Sequence, residues 1–217
     1  SRMGHRWRGL CPHETGEMQH RIVRTRKAVG MLGVLAAVSG CATHRPPSPV
    51  VEAPSKPGLE RAYLAEQGRT IEPFSHVIFC QKYPGECAVA NAGNSLAWSP
   101  SRAAELQSVN RLVNARIAPK NDRSDDVWSL SPRAGDCEDY AVTKRHILIR
   151  NGWPSSALRL AIGYTRGGEG HLVLAVRTDQ GDVILDNETN AIRNWRDAGL
   201  NWQEIQSAAN PRIWRKI

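Results

Sequence analysis

Three patterns of apolar residues divide the chain. The first is an eleven-residue stretch without a charge, Ala28 to Val38. It falls short of the roughly 18 residues of a spanning helix, and no other apolar run reaches that length, which excludes a polytopic membrane protein. The second pattern is helical. After Ser99-Pro100, the residues Leu106, Val109, Val113 and Ile117 recur at three- and four-residue spacing until Pro119. The third is strand-like. His171-Leu172-Val173-Leu174-Ala175-Val176 is rich in β-formers and follows Gly167-Gly168-Glu169-Gly170; after Thr178-Asp179-Gln180-Gly181 the chain returns as Asp182-Val183-Ile184-Leu185-Asp186-Asn187. Trp202 to Ser207 and Arg212 to Lys216, around Asn210-Pro211, read as a closing hairpin.

The surroundings of the first stretch assign it. Arg21, Arg24, Arg26 and Lys27 precede it and Ser39-Gly40-Cys41 ends it, the layout of a secretory signal. The ending Val-Ser-Gly-Cys resembles the lipobox of bacterial lipoproteins, in which the protein is cut before a cysteine that then carries lipid. An ordinary signal peptide and a short buried helix are the competing readings. On the lipobox reading, residues 1–17 are an upstream extension before Met18, residues 18–40 are the signal and Cys41 is the lipidated residue. Ala42, where an Asp would signal otherwise, resembles sorting to the outer membrane. Five prolines between Pro46 and Pro57 favour an extended tether, so residues 41–72 link the anchor to one folded domain, 73–217, whose first ordered residue falls between Gly58 and Phe74.

That cut changes the charge. The whole chain carries +8, which invites a nucleic-acid reading. Removing the seven basic and two acidic residues before Cys41 from totals of 29 and 21 leaves 22 and 19, a net of +3. No basic stripe with interleaved aromatics remains, so no nucleic-acid partner is expected.

The cut also sorts the five cysteines. Cys11 falls in the leader and Cys41 takes the lipid. Export implies an oxidising compartment. Cys80 and Cys87 flank the turn sequence Tyr83-Pro84-Gly85 and read as a local disulfide; a bridge from either to Cys137, or two buried thiols, are the alternatives. Cys137 is then the odd cysteine and the candidate nucleophile.

Its setting suits that chemistry. Asp136 is a good N-cap, Glu138 and Asp139 suit a first turn, and Gly152 with Pro154 stops the helix, so Cys137 opens it. A helix N-terminus favours thiolate, and its backbone N–H groups can hold an oxyanion. Seven histidines compete to be the base. His5, His13, His20 and His44 lie in the leader or tether. His146 is nine residues along the same helix, about 180° from Cys137. His76 and His171 remain, and His171 stands at the lip of a strand behind a glycine loop. If residues 178–181 form a four-residue loop, Asp186 comes opposite Val173, one same-face step of roughly 7 Å from His171, and can fix its tautomer. A three-residue loop with a bulge reverses the parity and turns Asp186 away. Asn110 and Asn114 share a helix face, which either holds the loop before Cys137 or is solvated. Trp128 is core or a cleft wall. Trp195, Trp202 and Trp214 read as core in preference to a carbohydrate platform.

Gly135-Asp136-Cys137-Glu138-Asp139-Tyr140-Ala141, Leu158-Arg159-Leu160, Gly170-His171-Leu172-Val173-Leu174 and Leu185-Asp186-Asn187 together resemble the bacterial transglutaminase-like cysteine proteinases, which include LapG-type periplasmic proteases. Over residues 73–217 the resemblance implies an α+β, papain-like/transglutaminase-like core: N-terminal helices and a nucleophile helix on an antiparallel β-sheet. It implies a Cys137, His171 and Asp186 triad acting through an acyl-enzyme on a protein of the cell envelope, a large adhesin among the candidates, with no cofactor required for the chemistry. It also implies calcium beside the nucleophile, at positions matched by Asp136, Glu138 and Asp139, and an inner-membrane regulatory receptor as a partner. A cation there would offset three carboxylates that otherwise oppose thiolate formation. The expected protein is a periplasmic peptidase held to the membrane by lipid. An acyl transferase with the same triad, and a catalytically idle lipoprotein that binds a peptide or partner, are the other readings.

Overall fold

The computed structural model describes residues 63–89, 96–120 and 126–217, all of them in one unit. The signal, Cys41 and the proline-rich stretch lie outside the described residues. Among the described residues no helix is long and apolar enough to cross a membrane.

Seven strands form one sheet, antiparallel at every pairing, in the order β1-β9-β8-β4-β5-β6-β7. They are β1 (Arg69–Thr70), β4 (Leu158–Tyr164), β5 (Gly170–Thr178), β6 (Gly181–Leu185), β7 (Arg193–Asn194), β8 (Asn201–Gln206) and β9 (Trp214–Lys216); β2 (Ala118–Pro119) and β3 (Ala134–Gly135) make a small parallel pair. The C-terminal hairpin of the sequence reading is β8 and β9, and β1 adds a strand outside it.

Three helices complete the domain: α1 (Phe74–Lys82), α2 (Pro100–Arg116) and α3 (Cys137–Arg150). Ser99 caps α2, its hydroxyl accepting from Arg102 N at 3.2 Å, and Pro100 occupies the first helical position, where a missing N–H costs nothing. Leu106, Val109 and Val113 are buried as their spacing predicts. Asp136 occupies the N-cap position of α3, although its side chain does not cap.

The central strands are apolar on both faces because both faces are covered. Leu160, Leu172, Leu174 and Leu185 join α2 and α3 in one core, while Ala161, Val173, Ala175 and Ile184 meet Leu64 and Ile205 in the other. Each fully buried leucine contributes about 2 kcal/mol of transfer free energy. Trp128 and Trp214 are core residues, whereas Trp195 and Trp202 are half-buried against the second cluster.

The Cys80–Cys87 disulfide is present, with α-carbons 5.6 Å apart. It ties the end of α1 to the turn that follows. His76, the other candidate base, is buried against this bridge, 3.6 Å from Cys80 Sγ, with Gln206 and Glu72 on its ring nitrogens.

Candidate active site

The site forms where the start of α3 meets the start of β5. The motif folds back on itself: Asp139 Oδ1 accepts from Ser129 N at 2.7 Å, and its other oxygen would lie 1.9 Å from a Cβ on Gly135. Gly135 is therefore a glycine because the Asp139 carboxylate fills the space a side chain would take.

Cys137 is fully buried, and Leu172 N–H donates to its Sγ at 3.2 Å. Cys137 thus sits on the residue next to His171. In this structure the sulfur is in a disulfide, so nucleophilic chemistry at Cys137 belongs to the reduced form. Glu138 Oε2 lies 3.4 Å from the sulfur.

The β5–β6 turn decides the position of Asp186. Thr178 pairs with Gly181 and Arg177 with Asp182, and the same register runs to Leu174 opposite Leu185. One step further brings Asp186 across from Val173. His171 Nε2 and Asp186 Oδ1 are 2.8 Å apart, both residues nearly buried, and Glu188 N–H donates to the same oxygen at 3.1 Å. With Nε2 engaged by Asp186, the imidazole has Nδ1 for proton exchange.

The electrostatics follow from this pair. Burial alone would lower His171, yet the hydrogen bond and charge of Asp186, with Glu188 behind it, raise its pKa above the ordinary imidazole value. Burial alone would raise Asp186, but the hydrogen bond and charge of His171, the Glu188 N–H and the charge of Lys144 hold it below the usual carboxylate value.

His146 lies away from Cys137, with Nδ1 on Glu86 Oε1 at 2.5 Å. Among the described residues, Asn110 and Asn114 hydrogen-bond to the segment after β6 and not to the loop before Cys137. Their amides donate to Thr189 O at 3.0 and 3.1 Å, and Asn114 also donates to Asp186 O at 3.0 Å. They fix the segment that carries the aspartate, a partner that helix periodicity does not identify.

Of the three acids matched to calcium, two converge. Burial first, then the hydrogen bond that protonated Glu138 donates to Asp136, the charge of Asp136 and the charge of Asp126 push Glu138 well above the usual carboxylate range. Two neighbouring buried carboxyl groups are oxygen donors of the kind a hard divalent cation takes, so Asp136 and Glu138 fit calcium. Asp139, the third, also accepts from Ser129 N through Oδ1. Asp126, which sequence reasoning did not single out for this cluster, also accepts from Ser75 Oγ at 2.6 Å and Trp128 Nε1 at 3.1 Å.

The family model described as bacterial transglutaminase-like cysteine proteinase, BTLCP, matches residues 66–217. The chain belongs to that family. It is a transglutaminase-like cysteine proteinase, with helices on an antiparallel sheet. No curated protein matches the chain. Three solved structures of Legionella pneumophila LapG resemble this proteinase in part. The first is 26% identical, covering 52% of this chain and 67% of that one at a TM-score of 0.45. An EGTA-treated form is 25% identical, covering 52% and 66% at 0.45. A calcium-bound form is 22% identical, covering 64% and 87% at 0.47.

Proposed function

We propose that this proteinase is a periplasmic, lipid-anchored peptidase whose triad is Cys137, His171 and Asp186. The observation that carries the reading is the buried 2.8 Å His171–Asp186 pair, one residue from the backbone N–H that meets Cys137 Sγ. In the reduced protein the Cys137 thiolate attacks a peptide carbonyl. Backbone N–H groups at the start of α3 donate to the developing oxyanion. His171 gives its proton to the leaving amine from Nδ1, then takes one from the water that hydrolyses the acyl-enzyme. Asp186, bonded to Nε2, keeps the imidazole in the required tautomer and orientation.

The substrate is a protein of the envelope, with a large surface adhesin as the candidate that family resemblance favours. Cys41 carries the lipid, and residues 41–62 give the domain reach from the membrane. The acids that would hold calcium are Asp136 and Glu138; the ion would neutralise their charge beside the nucleophile.

Iodoacetamide labelling of the reduced protein near neutral pH tests the triad. Cys137 should react fast, and His171→Ala should slow it by about tenfold or more; equal rates in the two proteins would remove the triad. In the same cells Cys41→Ser should move the protein from the membrane to the soluble fraction, and unchanged fractionation would remove the anchor.

A further inference from the structure

Lys144, near the proposed triad, is buried in a way that has no ordinary structural explanation. It lies seven residues after Cys137 on α3, which brings it within about 20° of the same helix face. Its side chain is fully buried, and Nζ has no hydrogen-bond partner among the described residues. Its contact is the face of the Tyr140 ring, 5.8 Å from Nζ to the centroid. A leucine or methionine would fill that space without stripping an ammonium of water.

The charged groups around it are few. α3 itself supplies Tyr140, and the buried face of α2 is Ala103, Leu106, Val109, Asn110 and Val113, none of them charged. β5 supplies His171, and the segment after β6 supplies Asp186, with Glu188 acting on His171. Burial pulls the Lys144 amine down to about 7, and the charge of Asp186 is what raises it against that.

We propose that Lys144 is a positioning residue of the triad, the buried counter-charge to Asp186 in the state in which His171 is neutral. The role presupposes the Cys137-His171-Asp186 assignment above. When His171 carries its proton, the pair with Asp186 is internally neutral. Once that proton has gone to the leaving amine, Asp186 is a buried carboxylate beside a neutral ring, and Lys144 holds the balancing proton. The two bases thus titrate as one coupled group around a single acid. By its charge Lys144 keeps Asp186 ionised and keeps His171 from holding its proton too tightly.

Histidine-detected NMR on the reduced full chain, with and without Lys144→Met, tests this directly. Methionine keeps the volume and removes the charge. The His171 titration should move upward by about half a pH unit or more. A folded Lys144→Met protein with the His171 titration unmoved overturns the role. Should that variant fail to fold, lysine-detected NMR on the unaltered protein decides. Lys144 should titrate far below the surface lysines and fall further in Asp186→Asn; titration with the surface lysines, or indifference to Asp186→Asn, overturns it. Neither measurement passes through Cys137. His171→Ala labelling at the wild-type rate therefore rejects the peptidase triad, whereas an unmoved His171 titration with normal His171→Ala slowing rejects Lys144 alone.

Discussion

Asp182 and Asp186 stand four residues apart, the first within β6 and the second just past its end. Both are buried and both meet basic side chains. Asp182 is surrounded by permanent donors: Leu64 N at 2.7 Å, Arg159 Nη2 at 3.0 Å, and Arg177 Nε and Nη2 at 3.1 Å each. Asp186 has His171 Nε2 at 2.8 Å and Glu188 N at 3.1 Å. A guanidinium does not release its proton at any pH the fold survives, while an imidazole does so near neutrality. Burial and ion pairing therefore do not distinguish a working acid from a structural one. What distinguishes Asp186 is a partner whose proton can leave.

Matched amide variants give the largest effects and the sharpest break. Asp182→Asn leaves Arg159 and Arg177 without a carboxylate and should cost about 3–5 kcal/mol in urea unfolding. Labelling of Cys137 per folded, reduced molecule should stay at the wild-type rate. Asp186→Asn should cost only about 1–2 kcal/mol but slow labelling by roughly tenfold or more. The cost of Asp186→Asn also depends on pH. The lowered Asp186 contributes stability above the ordinary carboxyl value and loses it as pH falls through its own lower value. The raised His171 contributes below the ordinary imidazole value and loses it as pH rises through its own higher value. The difference from wild type should thus be widest between about pH 4 and 6.5. If Asp182→Asn slows labelling as much as Asp186→Asn, the contrast between the two acids is wrong.

Much of this contrast can be read in the sequence. Helix-start residues place Cys137 at an N-terminus, and elimination leaves His76 and His171, with His171 at the lip of a strand. The sequence allows two parities for the β5–β6 return, and the observed register is the one that carries Asp186 to the histidine. The periodicity of α2 is equally clear. Other features depend on which chain segment lies across from a given face, and periodicity does not report that. Asn110 and Asn114 look like a polar helix stripe until the 186–190 segment is found bonded to them. Asp139 reads only as a first-turn acid, and the motif does not show that its carboxylate also bonds Ser129 N and fills the space at Gly135. Lys144 resembles any helix lysine; only its seven-residue offset from Cys137 marks it as inward-facing.

Lys144 sharpens the comparison from the opposite sign, since an ammonium buried for function should cost stability. Its folded pKa lies near 7, well below the ordinary lysine value, so the folded state disfavours the charged form. The cost is full below the folded value, shrinks as pH rises from there, and vanishes above the unfolded value near 10.5. Lys144→Met should therefore raise unfolding free energy on the order of 1–3 kcal/mol at pH 6, with little gain at pH 10. A destabilised Lys144→Met at pH 6 would make Lys144 a structural cation like Arg159, and the two sides of the comparison would merge.

The smallest effect concerns another buried acid pair, Asp136 and Glu138, beside Cys137. Burial and the neighbouring Asp136 carboxylate raise Glu138, and a cation would relieve that repulsion. A ligand bound to the folded state alone raises stability by an amount set by its concentration over its dissociation constant. Millimolar calcium should lift the thermal midpoint of the EGTA-treated protein by a few degrees, an effect on the order of 1 kcal/mol. Asp136→Asn should abolish that rise. Asp139→Asn should lower the midpoint in both conditions yet keep the rise, because its carboxylate serves Ser129 N and the turn at Gly135. Since the cation has to displace the proton on Glu138, the rise should be larger at pH 8 than at pH 5. A midpoint indifferent to calcium at both pH values removes the cation, and Asp136 and Glu138 then share a proton as a permanent feature of the nucleophile's surroundings.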